Sequence, residues 1–474
     1  MPKDFIPRGA FQTEGTRFIL ENPRCQINVD PGLGKTIMTL NAIETLILCG
    51  FTDKILILGP KRVAATVWSD EVKKWSHLSD LRVIPIIGTP KERLKALQVG
   101  AQIFTINYEL VVWLTEHWGD NWPYRMVVAD ESTKLKASRA SLQTSKLGKK
   151  YIVAKGGSRT NALAQITLKT KRWVNLTGSF CPNGLEQVHP QIWFIDAGKR
   201  LGRTYTAFSE RWFRVGFNGF GLTAMPHAES EIMEAIKDIT FTLRAEDYLE
   251  LPKEIINTVY LDMPACLVLH YSEMEKDLYT EIKNGTIEVE VFTAAAKSTK
   301  LHQLVNGGVY YDKEGSFEHL HDTKIDALKE IIEELGGSPA LVIYKFKSDL
   351  MRLQKAFPEG KKFDQSEKTK KDFQDSKIPI LFAHPGSMAH GVDGLQKACN
   401  NIIFFSLDWN IEERIQVIAR IGAVRQLQAG TGKPVFIHQL VMRNTIDEDI
   451  LRRVEERISV EESLKLGLAR RNLK

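Results

Sequence analysis

The sequence predicts an α/β protein of two large domains, each built on a largely parallel sheet flanked by helices. Three observations lead there. The chain has 474 residues, beyond the roughly 250–300 at which a single hydrophobic core stops growing. Short apolar runs alternate with helix-patterned segments over residues 24–176 and again over 341–440, the rhythm of strand-helix-strand units. A glycine-rich loop, Asp30-Pro31-Gly32-Leu33-Gly34-Lys35-Thr36, stands where an apolar strand feeds a helix.

In chain order, residues 24–29 read as the strand that enters this loop and 36–49 as the helix that leaves it. Residues 54–58 form a short strand ended by Gly59-Pro60, and 63–75 carry helical spacing. Strands follow at 81–87, 103–107, 126–129 and 173–176. The Gly59-Pro60 and Thr89-Pro90 turns fall at strand ends, where such folds place ligand loops. Residues 185–255 hold Trp193, Phe194, Phe208, Trp212, Phe213, Phe217 and Phe220. That composition reads as a packed satellite core, with a base-stacking platform as the alternative. Pro252 and Pro264 bracket a strand at 255–261, so the domains are assigned to 1–250 and 251–474. The second opens with helices at 267–283 and 323–335, continues with strands at 341–344, 380–383, 401–405 and 435–440, and closes with a helix at 445–459 and a basic tail, Arg470 to Lys474.

Hydrophobic residues at 43% and charged residues at 26% are ordinary for a soluble globular protein. The apolar stretch 43–58 is broken by Glu44, Asp53 and Lys54, which argues against a membrane span, and the first residues lack the pattern of a signal peptide. Cys25, Cys49, Cys181, Cys266 and Cys399 include no close pair, against both a zinc site and a disulfide framework. The pairs His384/His390 and His319/His321 read as loop residues rather than metal ligands. The reading is cytoplasmic. A net charge of +6 favours an anionic partner, with local clusters at Lys146, Lys149, Lys150, Lys155 and Arg159 and at Lys368, Lys370 and Lys371.

Gly32 and Gly34 let the backbone wrap closely around phosphate, with Leu33 between them and the amides of the following helix start facing the same way. Lys35 suits the terminal phosphates and the Thr36 hydroxyl suits Mg2+. Val29 stands where the longer eight-residue phosphate-loop pattern has its first glycine, so the shorter Asp-x-Gly-x-Gly-Lys-Thr form applies. Asp130-Glu131 ends the apolar run Met126 to Ala129. Asp130 is placed to hold Mg2+ through water, and Glu131 to polarise an attacking water. Gln12, after Phe11, is a candidate for the adenine edge.

These motifs, in this order, resemble the superfamily 2 helicases and within them the Snf2-like translocases of bacteriophage type, over nearly the whole chain. Phe11-Gln12 resembles the family's Tyr-Gln, Leu56 to Pro60 the strand whose loop touches the DNA backbone, and Thr105 to Glu109 its Thr-x-Tyr-Glu segment. Leu176-Thr177-Gly178-Ser179-Phe180-Cys181-Pro182-Asn183 resembles the Leu-Thr-Gly-Thr-Pro loop that couples nucleotide and DNA sites. In the second half, His390 to Gln396, with Gly391 and Asp393, resembles a loop that contacts DNA and nucleotide. Leu407 to Asn410 resembles the Asp-x-x-Trp-Asn turn, and Gln416 to Gln426 is similar to Gln-x-x-x-Arg-x-x-Arg-x-x-Gln.

The resemblance implies two recA-like domains with an ATP cleft between them, an ATP- and Mg2+-dependent hydrolase that moves on duplex DNA, and Arg420 as one of two arginines facing the terminal phosphate. It implies Pro60, Thr177, Gly178, Ser179, Gly391, Asp393 and Gln416 as coupling or DNA-contacting residues. An unidentified DNA-processing protein is a further expected partner. Three positions depart from the pattern: Ser132-Thr133 after the acidic pair, Phe180 for a proline, and Ala423 for the second arginine. Losing an arginine finger costs roughly 10^3 to 10^5 in rate, so Ala423 marks either an inactivated ATPase or a natural divergence, with Arg425 as a substitute. A strand-separating DNA or RNA helicase and an ATP-responsive DNA clamp without productive hydrolysis are the alternatives.

Overall fold

The computed structural model describes residues 2–136, 138–145, 150–155, 157–215, 222–252, 254–284, 287–312, 314–388 and 392–458, with backbone alone at 276–284, 287–295 and 297. Lys146, Lys149, Phe217, Phe220, His390, Gly391, Ser459 and the Arg470–Lys474 tail lie outside the described residues. The chain divides between Leu249 and Glu250 into two compact units.

The first unit is organised by seven parallel strands in the order Thr240–Leu243, Arg24–Val29, Arg172–Thr177, Tyr124–Asp130, Lys54–Gly59, Ile103–Asn107 and Val83–Ile86. Its central strands are apolar at nearly every position because helices cover both faces: Leu56, Leu58, Phe104, Ile106, Val127, Ala129 and Trp173 are buried in one core on one of them. Sequence periodicity does not mark the strand Thr240–Leu243. Its four residues alternate Thr with Phe and Leu, and its threonines are buried rather than solvent-facing.

Two local differences have clear causes. Residues 63–75 do not form one regular helix: a wide turn at Val63–Val67 precedes Trp68–Lys74, and Trp75 leaves the helix in an extended conformation. Thr89-Pro90 is a helix start. Glu92 N donates to Thr89 Oγ1 and Thr89 N to Glu92 Oε2, a reciprocal cap over Pro90–Leu97.

The aromatic segment after residue 185 corrects the satellite-core expectation. Every residue of the helix Val188–Asp196 is buried, so this helix joins the sheet to what lies beyond it. Trp173 stacks on Phe194 with centroids 5.1 Å apart, and Phe208 meets Trp212 and Phe213 at 5.2 and 5.3 Å. All five belong to the same core as the sheet. Rings buried this way leave no face for base stacking.

The second unit carries six parallel strands in the order Glu254–Leu261, Val435–Met442, Asn401–Phe404, Ala340–Ile343, Ile380–Ala383 and Lys361–Lys362. Helices Ala265–Asn284 and Ile287–Asn306 precede the sheet's inner strands, and the second of them was not read from the sequence. A polar knot sits inside this unit. Lys324 Nζ lies 2.7 Å from Asp447 Oδ2, both fully buried, and donates to Asn306 Oδ1 at 2.9 Å. Asn306 Nδ2 reaches Ser406 Oγ and Asp349 Oδ2 at 2.8 and 3.1 Å. Burial pushes the Asp349 carboxyl up to about 6 and holds His302 down to about 4. His321 Nε2 contacts the Leu304 carbonyl and His319 Nε2 contacts Asp322, both within this unit.

Candidate functional site

Three neighbouring strands of the first unit deliver the candidate residues to one edge of the sheet. The strand Arg24–Val29 runs into the glycine loop, Arg172–Thr177 beside it ends in Thr177-Gly178-Ser179, and Tyr124–Asp130 next to that ends at the acidic pair. Because the strands are parallel, segments separated by about a hundred residues meet at their carboxyl ends, where open α/β sheets bind ligands.

Within the loop, Gly32 has φ 89° and Gly34 φ 97°, left-handed values that favour glycine. A Cβ on Gly34 would stand 2.5 Å from Gln12 Nε2. Gln12 is buried against the loop: its Nε2 donates to the Leu33 carbonyl at 3.0 Å, its Oε1 accepts from Arg8 N at 2.9 Å, and Arg8 itself donates to the Gly32 carbonyl at 3.1 Å. Asp30 fastens the other flank, its N donating to the Leu243 carbonyl and its Oδ2 accepting from Ala245 N at 2.9 Å. The helix Lys35–Leu48 begins immediately after Gly34 and so presents its first amides there, with Thr36 half-buried in its first turn.

Lys35 Nζ donates to the Val29 carbonyl at 2.7 Å. Gly178 approaches so closely that an added Cβ would lie 3.4 Å from Lys35 Nζ and 3.1 Å from the Pro31 ring, so the small residue lets the two loops close on each other. Thr177 Oγ1 donates to the Ser179 carbonyl at 2.6 Å and accepts from Ser179 N at 3.1 Å, giving the second loop its tight turn.

Asp130 is held from three directions. Its Oδ2 accepts from Trp68 Nε1 at 3.1 Å, its Oδ1 from Glu131 N at 3.1 Å, and its carbonyl from the Tyr108 hydroxyl at 2.8 Å. Burial raises its pKa, opposed by the Lys35 ammonium and by the two N–H donors. Glu131 has φ 56° and ψ 60°, a left-handed conformation at a non-glycine residue, which costs of order 1–2 kcal/mol and recurs at functional positions. A carboxylate pair, a lysine, a helix start and two close-approach glycines form a donor set suited to a Mg2+-bound triphosphate.

One participant was not identified from the sequence. Gln191, in the buried helix Val188–Asp196, accepts from Ser132 Oγ at 2.7 Å and donates to the Phe180 carbonyl at 2.7 Å. Ser132 follows the acidic pair and Phe180 follows Ser179, so Gln191 ties those two loops together. Asn175 Nδ2 fixes it from the sheet through the Gln191 carbonyl at 2.9 Å. The available signal was a glutamine among Ile192, Trp193, Phe194 and Ile195. Pro60 is buried at its strand end, and Lys61 beside it is exposed.

In the second unit, Arg420 closes the helix Ile411–Ile421 and donates from Nε to the Met388 carbonyl at 2.8 Å and from NH1 to the Val392 carbonyl at 3.3 Å. Arg425 NH1 lies 3.4 Å from Asp393 Oδ2, and Asp393 Oδ1 accepts from Gly394 N and Gln396 Nε2. Ala423 is buried at the start of the helix Ala423–Gln428, and Gln416 is half-buried. Gln426 is fully buried, donating to the Cys399 and Ile421 carbonyls at 2.8 and 3.0 Å, so it braces the turn that carries the arginines. Among the described residues no group of three or more His, Cys, Asp or Glu is arranged to hold a metal, and no helix is long and apolar enough to cross a membrane.

Residues 24–307 match the family model of the SNF2-related domain. The chain is 42% identical to "Putative protein p41" of Acyrthosiphon pisum secondary endosymbiont phage 1, over 99% of this chain and 100% of that one. It is 24% identical to the DNA repair and recombination protein RDH54 of Saccharomyces cerevisiae, over 92% of this chain and 49% of the yeast protein, so it spans about half the length of that relative. The Sulfolobus solfataricus SWI2/SNF2 ATPase core in complex with dsDNA aligns over 99% of this chain and 96% of its own, with 17% identity and a TM-score of 0.43. With its glycine loop, acidic pair and Thr-Gly-Ser turn on adjacent strands of a parallel sheet, the chain belongs to the SNF2-related family of ATPases.

Proposed function

We propose that this chain is an ATP-driven motor on duplex DNA that remodels DNA or protein-DNA complexes during recombination, replication or repair, working in the cytoplasm of a bacterial host. The observation that carries the reading is the meeting of Lys35, Gly178 and Asp130 at the ends of three adjacent parallel strands. In this reading Lys35 neutralises the terminal phosphates of ATP, Thr36 and Asp130 hold Mg2+, and Glu131 accepts a proton from the attacking water. Bound Mg2+ supplies charge neutralisation at the phosphate oxygens. Gln12 sets the position of the loop beside the base. Thr177, Gly178 and Ser179 pass the state of the nucleotide site to DNA-contacting segments that include Pro60, Gly391, Asp393 and Gln416. The repair and recombination role in the name of the yeast relative supports a DNA substrate.

We further propose that hydrolysis in this form is slow. Arg420 and Arg425 both have partners in their own unit, and Ala423 offers no charge. The same observations favour the clamp reading, in which ATP tightens the grip on DNA without productive turnover. Steady-state phosphate release by this chain and by Ala423→Arg, each without nucleic acid, with single strands and with duplex, separates the two. Duplex-stimulated release that rises about 10^3-fold or more in the arginine form supports a disabled motor. Equal release in both forms refutes the arginine-finger argument, and stimulation by single strands alone refutes the duplex reading.

A further inference from the structure

Between Asp130 and Arg172 the chain leaves the parallel sheet and builds an antiparallel hairpin from Arg139–Thr144 and Lys150–Lys155, paired over six residues. The charge of the surrounding sequence is one-sided. From residue 132 to residue 185 there are 11 lysines and arginines and no aspartate or glutamate, in a chain whose acids and bases are otherwise nearly balanced, 58 against 64. Arg159, Lys169 and Lys171 take counter-charges from outside the stretch, Glu109, Asp120 and Asp53, whereas no acid within the stretch itself stands beside the lysines of the hairpin.

The hairpin is seated firmly enough to act as a rigid arm. Ala140 and Ile152 are buried in the main core, and Leu142 and Ala154 pack against it. Gln165 Nε2 donates to the Ile152 carbonyl at 3.1 Å, tying the second strand to the helix Ser158–Ile166. Arg139 folds back onto the Tyr205 ring at 3.7 Å and donates to the Lys136 and Ser138 carbonyls. The ladder sets Arg139 directly opposite Lys155, so two basic residues share one face of the hairpin.

The other face is polar and accessible. It carries Tyr151 and Lys155, with Gln143 opposite the tyrosine; Tyr151 is 43% exposed and its hydroxyl donates to Gln143 Oε1 at 2.8 Å across the ladder, Lys155 is exposed, and Lys150, exposed at the first position of its strand, alternates onto the side of Ile152. The strand from Lys150 to Lys155 spans about 17 Å, a length over which a duplex presents several phosphates at one charge per roughly 1.7 Å of axis. A two-stranded ribbon also has the width that a major groove admits.

We propose that this hairpin is an accessory arm that binds the phosphate backbone of duplex DNA through Lys155, Tyr151 and Gln143 on its accessible face, with Lys150 adding a further contact from the exposed end of its strand. The inference rests on the DNA-motor reading and assigns the arm a part in gripping DNA that the nucleotide site does not need.

The test uses the full chain, a fluorescently labelled duplex of about 30 base pairs, and anisotropy titrations over a salt series, for the parent and for Lys150→Gln/Lys155→Gln. Each phosphate contact adds about 0.9 to the slope of log affinity against log salt, so the double variant should lose about 2 from the slope and weaken about tenfold at low salt. Its affinity for a fluorescent ATP analogue should match the parent's, since neither lysine belongs to the nucleotide site. An unchanged slope in a parent that does bind duplex overturns the arm and leaves the motor reading standing. A parent that binds no duplex overturns both. Loss of binding to polyglutamate with duplex binding intact assigns the face to an acidic protein and overturns the proposal.

Discussion

Asp447→Leu is the substitution whose cost the geometry fixes most directly. Lys324 and Asp447 have no exposed side-chain surface, and the only other polar contact described for the ammonium is Asn306 Oδ1 at 2.9 Å. Deleting the carboxylate strands a buried charge, at a cost of about 3–5 kcal/mol. It also removes the acceptor of the Met442 amide, 3.1 Å from Asp447 Oδ2, which adds about 1 kcal/mol. The single variant therefore loses about 4–6 kcal/mol, a large part of the roughly 5–15 kcal/mol that holds a domain together. Lys324→Met/Asp447→Leu removes both charges and leaves the Met442 amide and Asn306 Oδ1 without these partners, together with a small change of shape, about 2–3 kcal/mol. At roughly 2–4 °C per kcal/mol for a unit of this size, the single variant melts on the order of 15 °C below the parent and the double about 8 °C below. Hydrogen exchange read on peptides from Val435–Met442 isolates the opening of this unit. A double variant as unstable as the single refutes the reasoning, because uncompensated charge would then not be what the carboxylate prevents.

Three further outcomes are expected. Glu131→Gly removes the Cβ from a left-handed residue and should raise the unfolding free energy by about 1 kcal/mol while lowering phosphate release in the Ala423→Arg background at least about 100-fold; denaturant melts and turnover assays check the two halves separately. Gln191→Leu cuts the tie between Ser132 and the Phe180 carbonyl. In the same background it should lower kcat about tenfold with KM for ATP within about twofold, and a rise in KM at constant kcat would assign Gln191 to binding instead. His189 is buried, and burial holds it down to about 4 from an ordinary 6.5. Its folded pKa is depressed, so the unfolded chain takes the proton first; the stability it contributes is full above about pH 6.5 and falls by about 3 kcal/mol as pH drops to 4. His189→Gln should flatten that part of the urea-midpoint profile of the first unit. In the second unit Asp349, raised to about 6, loses stability in the opposite direction and offsets His302.

The amino-acid sequence by itself determined the local chemistry. Glycines at 32 and 34 need a left-handed turn, an apolar run ending in Asp130-Glu131 puts carboxylates at a strand end, and the spacing of Gln416 and Arg420 places them one helical turn apart, with Gln426 on the short helix that follows the break at Gly422. Periodicity marks every strand of the two main sheets except Thr240–Leu243 and Lys361–Lys362, because most of the others are apolar at nearly every position. What escaped it depended on partners distant in the chain. Gln191 is one polar residue among apolar ones until the fold brings Ser132 and Phe180 to its two ends. Thr240–Leu243 is a strand only because Arg24–Val29 pairs with it. The aromatic segment merges with the main core because the helix Val188–Asp196 is buried on every side. Lys324 looks like a solvated helix lysine until Asp447, far along the chain, meets it inside the second unit. Local sequence encodes backbone preference and side-chain type, whereas burial and pairing belong to the assembled fold. For that reason the motifs were legible, and only the tertiary structure decided which groups hold them in place.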